Sequence, residues 1–198
     1  MEGAQQKKLL YHLTDLDNLP SIAAGGLRSR RSLAASADRF VDHGDPEILA
    51  GRSQFDLDCY VPFHFIHKSP FDYAVVRRSP ARRYVLIAVR RDFAAASGWR
   101  ICPKHPLTDS EPPMVLDWAR GFGQVDWDQM DKRPRDYDSD RECKLSCMAE
   151  ALSPVAVPVS RWQCVYVATD HTSRLVRSIL GVGIFINVNP GMFPGGAR

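Results

Sequence analysis

Apolar residues fall in short runs along this chain, and the spacing within each run indicates the element it forms. Leu9-Leu10-Tyr11-His12-Leu13-Thr14 is short, apolar and rich in strand formers, which predicts a first β-strand. Asp17 then caps a helix with Pro20 in its first turn, running through Leu19, Ile22 and Ala23 and stopping at Gly25-Gly26. From Arg28 to Asp58 the pattern is poor, with one short helix near Pro46-Glu47-Ile48-Leu49; an excursion of this length in a compact domain is often functional. Cys59 to Phe65 reads as a strand that Pro62 places at an edge or a strand start. Ser69-Pro70 opens a helix through Phe71, Tyr73, Ala74 and Val75.

Tyr84 to Val89 is the clearest buried strand, and Asp92 to Ser97 forms a short helix ended by Gly98. Ile101 to Pro113, with its four prolines, reads as loop; Met114 to Gly121 fits neither period, and Gly121 to Asp140 reads as irregular and charged. Leu145, Met148, Ala149 and Leu152 have helical spacing. After Pro154 and Pro158 come a strand over Arg161 to Val167, an amphipathic helix over Asp170 to Leu180, and a last strand within Val182 to Val188. Strands and helices interleave without a regular βαβ rhythm or repeat. The expectation is a single α+β domain over 1–188, with a loose tail over 189–198.

Composition agrees with that picture. With 44% hydrophobic residues among 198, the chain has enough apolar surface to offset its conformational entropy. No run approaches the roughly 18 apolar residues of a membrane span, and Met1 to Lys8 lacks the apolar core of a signal peptide, so a cytoplasmic protein with no membrane partner is expected. Cys59, Cys102, Cys143, Cys147 and Cys164 are odd in number and widely spaced, which predicts buried free thiols. The net charge of +3 is weak, but arginines cluster at Arg28, Arg30 and Arg31 and again at Arg77, Arg78, Arg82, Arg83, Arg90 and Arg91. A polyanion could follow these clusters; charge alone favours ordinary solvated faces.

The chain has neither G-x-G-x-x-G nor a Walker motif. Cys59, His64, His67, Cys143 and Cys147 lack the dense spacing of a structural zinc site, and no metal is expected. No Cys–His pair stands out as a nucleophile and its base.

Three segments carry a family resemblance. Tyr11 to Ile22 followed by Gly26-Leu27, then Tyr60-Val61-Pro62-Phe63-His64-Phe65 with Ser69 to Ala74, then Lys144 to Leu152 resemble, in order and spacing, the DarT family of bacterial toxins that ADP-ribosylate DNA. Together they reach from about residue 9 to 170. The resemblance implies an ADP-ribosyltransferase-like fold, with two small sheets flanking an NAD cleft and peripheral helices. It implies that His12 and Thr14 contact NAD, that Asn18 supports that site, and that an arginine upstream of the Val-Pro strand, Arg52 or else Arg39, belongs to the active site. It makes Glu150 the catalytic carboxylate and puts it at the start of a strand, from about Met148 onward, where the periodicity alone reads helix. The chemistry fits: a carboxylate stabilises an oxocarbenium-like ribose, and a guanidinium clamps a pyrophosphate. Taken without the resemblance, His12 reads as a core histidine and Arg52 as a surface charge.

Trp127 and Tyr137, in a stretch where the family has a substrate-facing loop, either stack on a splayed base or anchor that loop to the core. Ile101 to Leu107 differs from the family's asparagine-containing segment, which leaves the acceptor open between single-stranded DNA and RNA. The resemblance thus implies a toxin of a toxin–antitoxin or phage-defence unit. It would transfer ADP-ribose from NAD to a base, opposed by a macrodomain hydrolase or a binding antitoxin. Alternatives are the same fold modifying protein or hydrolysing NAD, and a non-catalytic module that binds nucleic acid or a partner.

Overall fold

Eight strands form one sheet in the order β5-β4-β6-β2-β1-β3-β7-β8 in the computed structural model, which describes residues 2–36, 40–106 and 112–195. They are β1 (Leu9–Asp15), β2 (Val61–His64), β3 (Tyr84–Arg90), β4 (Arg100–Cys102), β5 (Leu116–Asp117), β6 (Glu150–Ser153), β7 (Trp162–Val167) and β8 (Ile186–Val188). All neighbours are antiparallel except β7 and β8.

The two small sheets of the sequence reading are halves of this one sheet. On one side β1 pairs β3 along its whole length, from Leu9↔Arg90 to Asp15↔Tyr84. On the other, β2 pairs β6 from Val61↔Ser153 to His64↔Glu150, and Cys102 of β4 continues the row at Glu150. Between the halves, β1 meets β2 at one register pair, Tyr11↔His64. The ladder stops there for a chemical reason. Pro62 has no N–H to give, and its carbonyl accepts a hydrogen bond from the His12 ring at 2.8 Å instead. Beyond this seam the halves part and a cleft opens.

Both faces of the sheet are buried, which is why β3 reads as a continuous apolar run. Val85, Ile87 and Val89 face a core with Leu10, Phe63, Trp99 and Ile101, whereas Leu86 and Ala88 face Tyr11, Leu13 and Phe193.

The helices are α1 (Leu19–Gly25), α2 (Arg30–Ala35), α3 (Pro46–Gln54), α4 (Pro70–Arg78), α5 (Arg91–Ala96), α6 (Trp118–Gln124), α7 (Trp127–Asp131), α8 (Arg141–Ser146) and α9 (Asp170–Leu180). Asp17 does not cap α1: Asp15 accepts from the Asp17 N–H and caps the short 3-10 turn Leu16–Asn18, and α1 follows directly from Asn18 without a side-chain cap. Gly26 ends α1 at φ 76°, and a side chain there would press on the Val157 carbonyl at 3.1 Å. Ser69 and Asp72 close a reciprocal capping box on α4.

Several expectations are corrected. Ile101 and Cys102 are strand rather than loop, because β6 supplies hydrogen-bond partners that short-range pattern does not reveal. Met114 to Gly121, left unassigned, and the irregular stretch after it hold α6 and α7, each capped by its own aspartate, Asp117 and Asp126. The helix near residue 46 runs on to Gln54. The chain expected to be loose after Val188 packs as far as Gly195: the Asn189 N–H donates to Val167, and Phe193 is buried. All five cysteines are free, Cys59 half-buried and the others buried. No helix among the described residues is long and apolar enough to cross a membrane.

Candidate active site

The seam opens into a cleft of about 990 Å³ whose lining includes His12, Thr14, Arg52, His64, Tyr137 and Glu150. β1 brings His12 and Thr14 to one wall. Burial pushes the His12 imidazole down to about 4, which keeps it neutral near pH 7. Because the Pro62 carbonyl can only accept, Nδ1 carries the proton and Nε2 is left as an acceptor. Thr14 Oγ1 accepts from Asn18 Nδ2 at 3.3 Å, leaving the hydroxyl proton to donate.

Asn18 also lines the cleft and holds a neighbouring segment. Its Oδ1 accepts from the Val41 N–H at 2.7 Å and its Nδ2 donates to the Val41 carbonyl at 3.0 Å. His43 Nε2 donates to the buried Asp15 carboxylate at 3.0 Å, and Arg78 Nη1 donates to the His43 carbonyl at 3.1 Å. The segment from Val41 to Asp45 is thereby strapped along the cleft, and Asn18 is a positioning residue.

Glu150 begins β6 and is buried. Arg52, in the last turn of α3 and the buried residue of that helix, reaches it across 98 positions of sequence: Nη1 donates to Oε1 and Oε2, both at 2.9 Å. Both partners are nearly sealed from solvent, with side-chain exposures of 9% and 6%. Arg52 Nη2 is buried and has no hydrogen-bond partner among the described residues. A buried donor left unmet costs about 1–3 kcal/mol, so the guanidinium is set up to receive an anionic or hydroxyl oxygen from a ligand in the cleft. Arg30 also lines the cleft, paired with Asp42 and over the Phe40 ring, and burial first and the charge of Arg52 second lower its pKa to about 10. Two guanidinium groups, a neutral imidazole acceptor and a hydroxyl donor match the phosphates and ribose hydroxyls of a dinucleotide.

Arg39, the other candidate arginine, lies outside the described residues. Tyr137 lines the cleft, donates to the Lys68 carbonyl at 3.0 Å and packs edge-on to Tyr73. Trp127 is not among the residues that line the cleft. The indole packs against Phe65 and Phe122, lies under the Arg91 guanidinium and donates to the Phe122 carbonyl, so it anchors its segment to the core. Sequence reasoning missed His64 and Arg30. His64 was weighed as a zinc ligand alone, yet in register it sits beside Glu150 and lines the cleft. Among the described residues no group of three or more His, Cys, Asp or Glu is placed to hold a metal ion.

A sheet split at a seam, with a carboxylate at the head of an inner strand and a dinucleotide-sized cleft beside it, defines an ADP-ribosyltransferase-like fold. Solved structures share it. Thermus sp. 2.9 DarT in complex with ADP-ribosylated ssDNA superposes with a TM-score of 0.78 at 17% identity, covering 93% of this chain and 95% of that one. Thermosipho africanus DarTG in complex with ADP-ribose gives 0.77 at 18%, covering 94% of this chain and 51% of that one. A DNA ADP-ribosyl transferase from Escherichia coli O127:H6 (strain E2348/69 / EPEC) is 25% identical over 176 residues, 78% of each chain. The family model for DarT, ssDNA thymidine ADP-ribosyltransferase, matches residues 11–194, and the chain belongs to the DarT family. It is an ADP-ribosyltransferase.

Proposed function

We propose that this protein transfers ADP-ribose from NAD to a base of single-stranded DNA, with Glu150 as the catalytic carboxylate. The observation that carries the assignment is the buried Arg52–Glu150 pair at the cleft. NAD supplies an activated ribose, from which nicotinamide departs as positive charge develops on the sugar. Glu150 is placed to stabilise that charge and to take the proton released by the attacking base. Arg52 fixes the carboxylate through Nη1 and offers Nη2 to a phosphate or ribose oxygen of the co-substrate. His12 accepts a ribose hydroxyl at Nε2, Thr14 donates from its hydroxyl, and Asn18 holds the Val41 segment over them. Tyr137, at the cleft wall, stacks on the acceptor base.

The structural relatives whose names carry ADP-ribosylated ssDNA and DarTG support two further parts of the reading. The acceptor is DNA, and the protein acts in the cytoplasm as the toxin of a toxin–antitoxin or phage-defence unit, opposed by a macrodomain antitoxin.

Incubation with NAD and defined DNA and RNA oligonucleotides, followed by mass spectrometry, tests this. A mass gain of one ADP-ribose on a DNA base is expected. Label on protein alone, or free ADP-ribose alone, overturns the reading.

A further inference from the structure

The arginine strip between α4 and β3 does not act as one charged patch. Arg78 is met by Asp45, Arg90 by Asp92 and Arg82 by Asp17, while Arg91 is buried against backbone carbonyls. Arg77 and Arg83 differ. Both are exposed, and among the described residues neither meets a carboxylate. Arg83 Nη1 donates to an imidazole, His171 Nε2, at 3.2 Å.

Exposed cations alone name no ligand, but their placement does. Arg77 and Arg83 line a second hollow of about 370 Å³, with Val76, Tyr84 and Phe193 among its apolar walls and, among the described residues, no Asp or Glu in its lining. The hollow adjoins the cleft, since Tyr73, Arg77 and Tyr84 border both. Tyr73 and Arg77 are one helical turn apart on α4, so ring and guanidinium share a face of that helix. Tyr73 is 37% exposed and meets the ring of Tyr137 at 5.9 Å. An aromatic ridge leading from the cleft into an acid-free hollow rimmed by uncompensated guanidinium groups has the chemistry of a single-strand track, where bases stack and phosphates are neutralised.

We propose that this hollow holds the single-stranded DNA flanking the modified nucleotide, with its phosphates on Arg77 and Arg83 and a base against Tyr73. The assignment rests on the DNA-modifying reading above.

The test is fluorescence anisotropy of a labelled DNA single strand, titrated without NAD at several salt concentrations, on the parent protein and the pair R77E/R83E. Two lost phosphate contacts, at about 0.7 each for single strands, lower the slope of log affinity against log salt by about 1.4 and weaken binding on the order of tenfold. The neutral pair R77Q/R83Q moves the slope in the same direction. The KM for NAD and the melting temperature stay unchanged, and a trinucleotide too short to enter the hollow is modified with the same kcat/KM by parent and variant. An unmoved salt slope with a folded variant overturns the proposal. So does equal loss on long and short strands, which marks a field effect rather than a contact, or loss of binding to an acidic partner protein with DNA binding intact. If the parent fails to modify DNA at all, the underlying reading fails; if it modifies DNA and the slope is unmoved, the groove alone fails.

Discussion

At the scale of single residues, Glu150 and Arg52 do two things at once. The pair offers a carboxylate and a guanidinium to the cleft, and it is also a buried ion pair with both partners below a tenth exposed. Removing one partner of such a pair strands the other charge and costs about 3–5 kcal/mol. Glu150→Ala is therefore expected to lose both transfer and stability; Glu150→Gln also removes the negative charge but keeps the side-chain volume and one oxygen to accept from Arg52 Nη1, so its loss of stability is smaller. We expect E150Q to lower kcat by at least about a thousandfold, with a melting temperature closer to the parent than that of E150A; product formation by mass spectrometry and calorimetry check the two halves. Equal kcat in E150Q and parent removes Glu150 from the reaction. The carboxylate was legible in the sequence, as a charge with Met148-Ala149 before it and Ala151-Leu152 after it. Its partner was legible only through the resemblance, because nothing local links two residues 98 apart. Trp127 stays open in the sequence because a stacking aromatic and an anchoring one look the same there; its neighbours Phe65, Phe122 and Arg91 are those of an anchor.

At the scale of elements, local signals worked where a cap or a clear period is followed by a sustained apolar pattern, and failed for short helices and where tertiary pairing decides. Ser69-Pro70 and the amphipathic pattern of Asp170 to Leu180 announce α4 and α9, whereas α6 and α7, though capped, are too short to show a period. By contrast, helical spacing continues from Leu145 through Leu152, yet α8 ends at Ser146 and β6 begins at Glu150. Strand partners on both sides, β2 and β4, outweigh the intrinsic pattern there. The Val41 to Asp45 segment gave no signal at all, since its order comes from side chains of β1 and α4 and the residue just before α1. That dependence is testable. Asn18→Ala removes both bonds to Val41, so the Val41 amide should lose its hydrogen-exchange protection and the KM for NAD should rise about tenfold, with kcat changed less. Retained protection at Val41 contradicts the strap.

At the scale of the whole molecule, the folded state holds imidazoles that resist protonation. Burial lowers both His12 and His67 to about 4 from an ordinary 6.5. Well above pH 6.5 both histidines are neutral whether the chain is folded or not, so there they contribute no pH dependence. As the pH falls from 6.5 to 4 the unfolded chain takes up protons that the folded one refuses, and stability falls. Urea unfolding between pH 7 and 4 should show midpoints dropping through this window, with a slope reduced by about one proton in His67→Gln. Midpoints that stay level down to pH 4.5 contradict the assigned burial effect. The α+β class and most of the strands were readable from the sequence. The joining of two half-sheets at one pair was not, because it depends on Pro62 and His12 meeting across 50 residues.

That seam also divides the enzyme's liabilities. His12 and Thr14 belong to the β1 half, while Glu150, Ile101 and Cys102 belong to the half beyond β2. A lineage can rework β4 and the segment that follows it, where this chain departs from the family it resembles, while β1 keeps His12 and Thr14 in place and the head of β6 keeps Glu150. The architecture separates what must stay fixed from what can diverge.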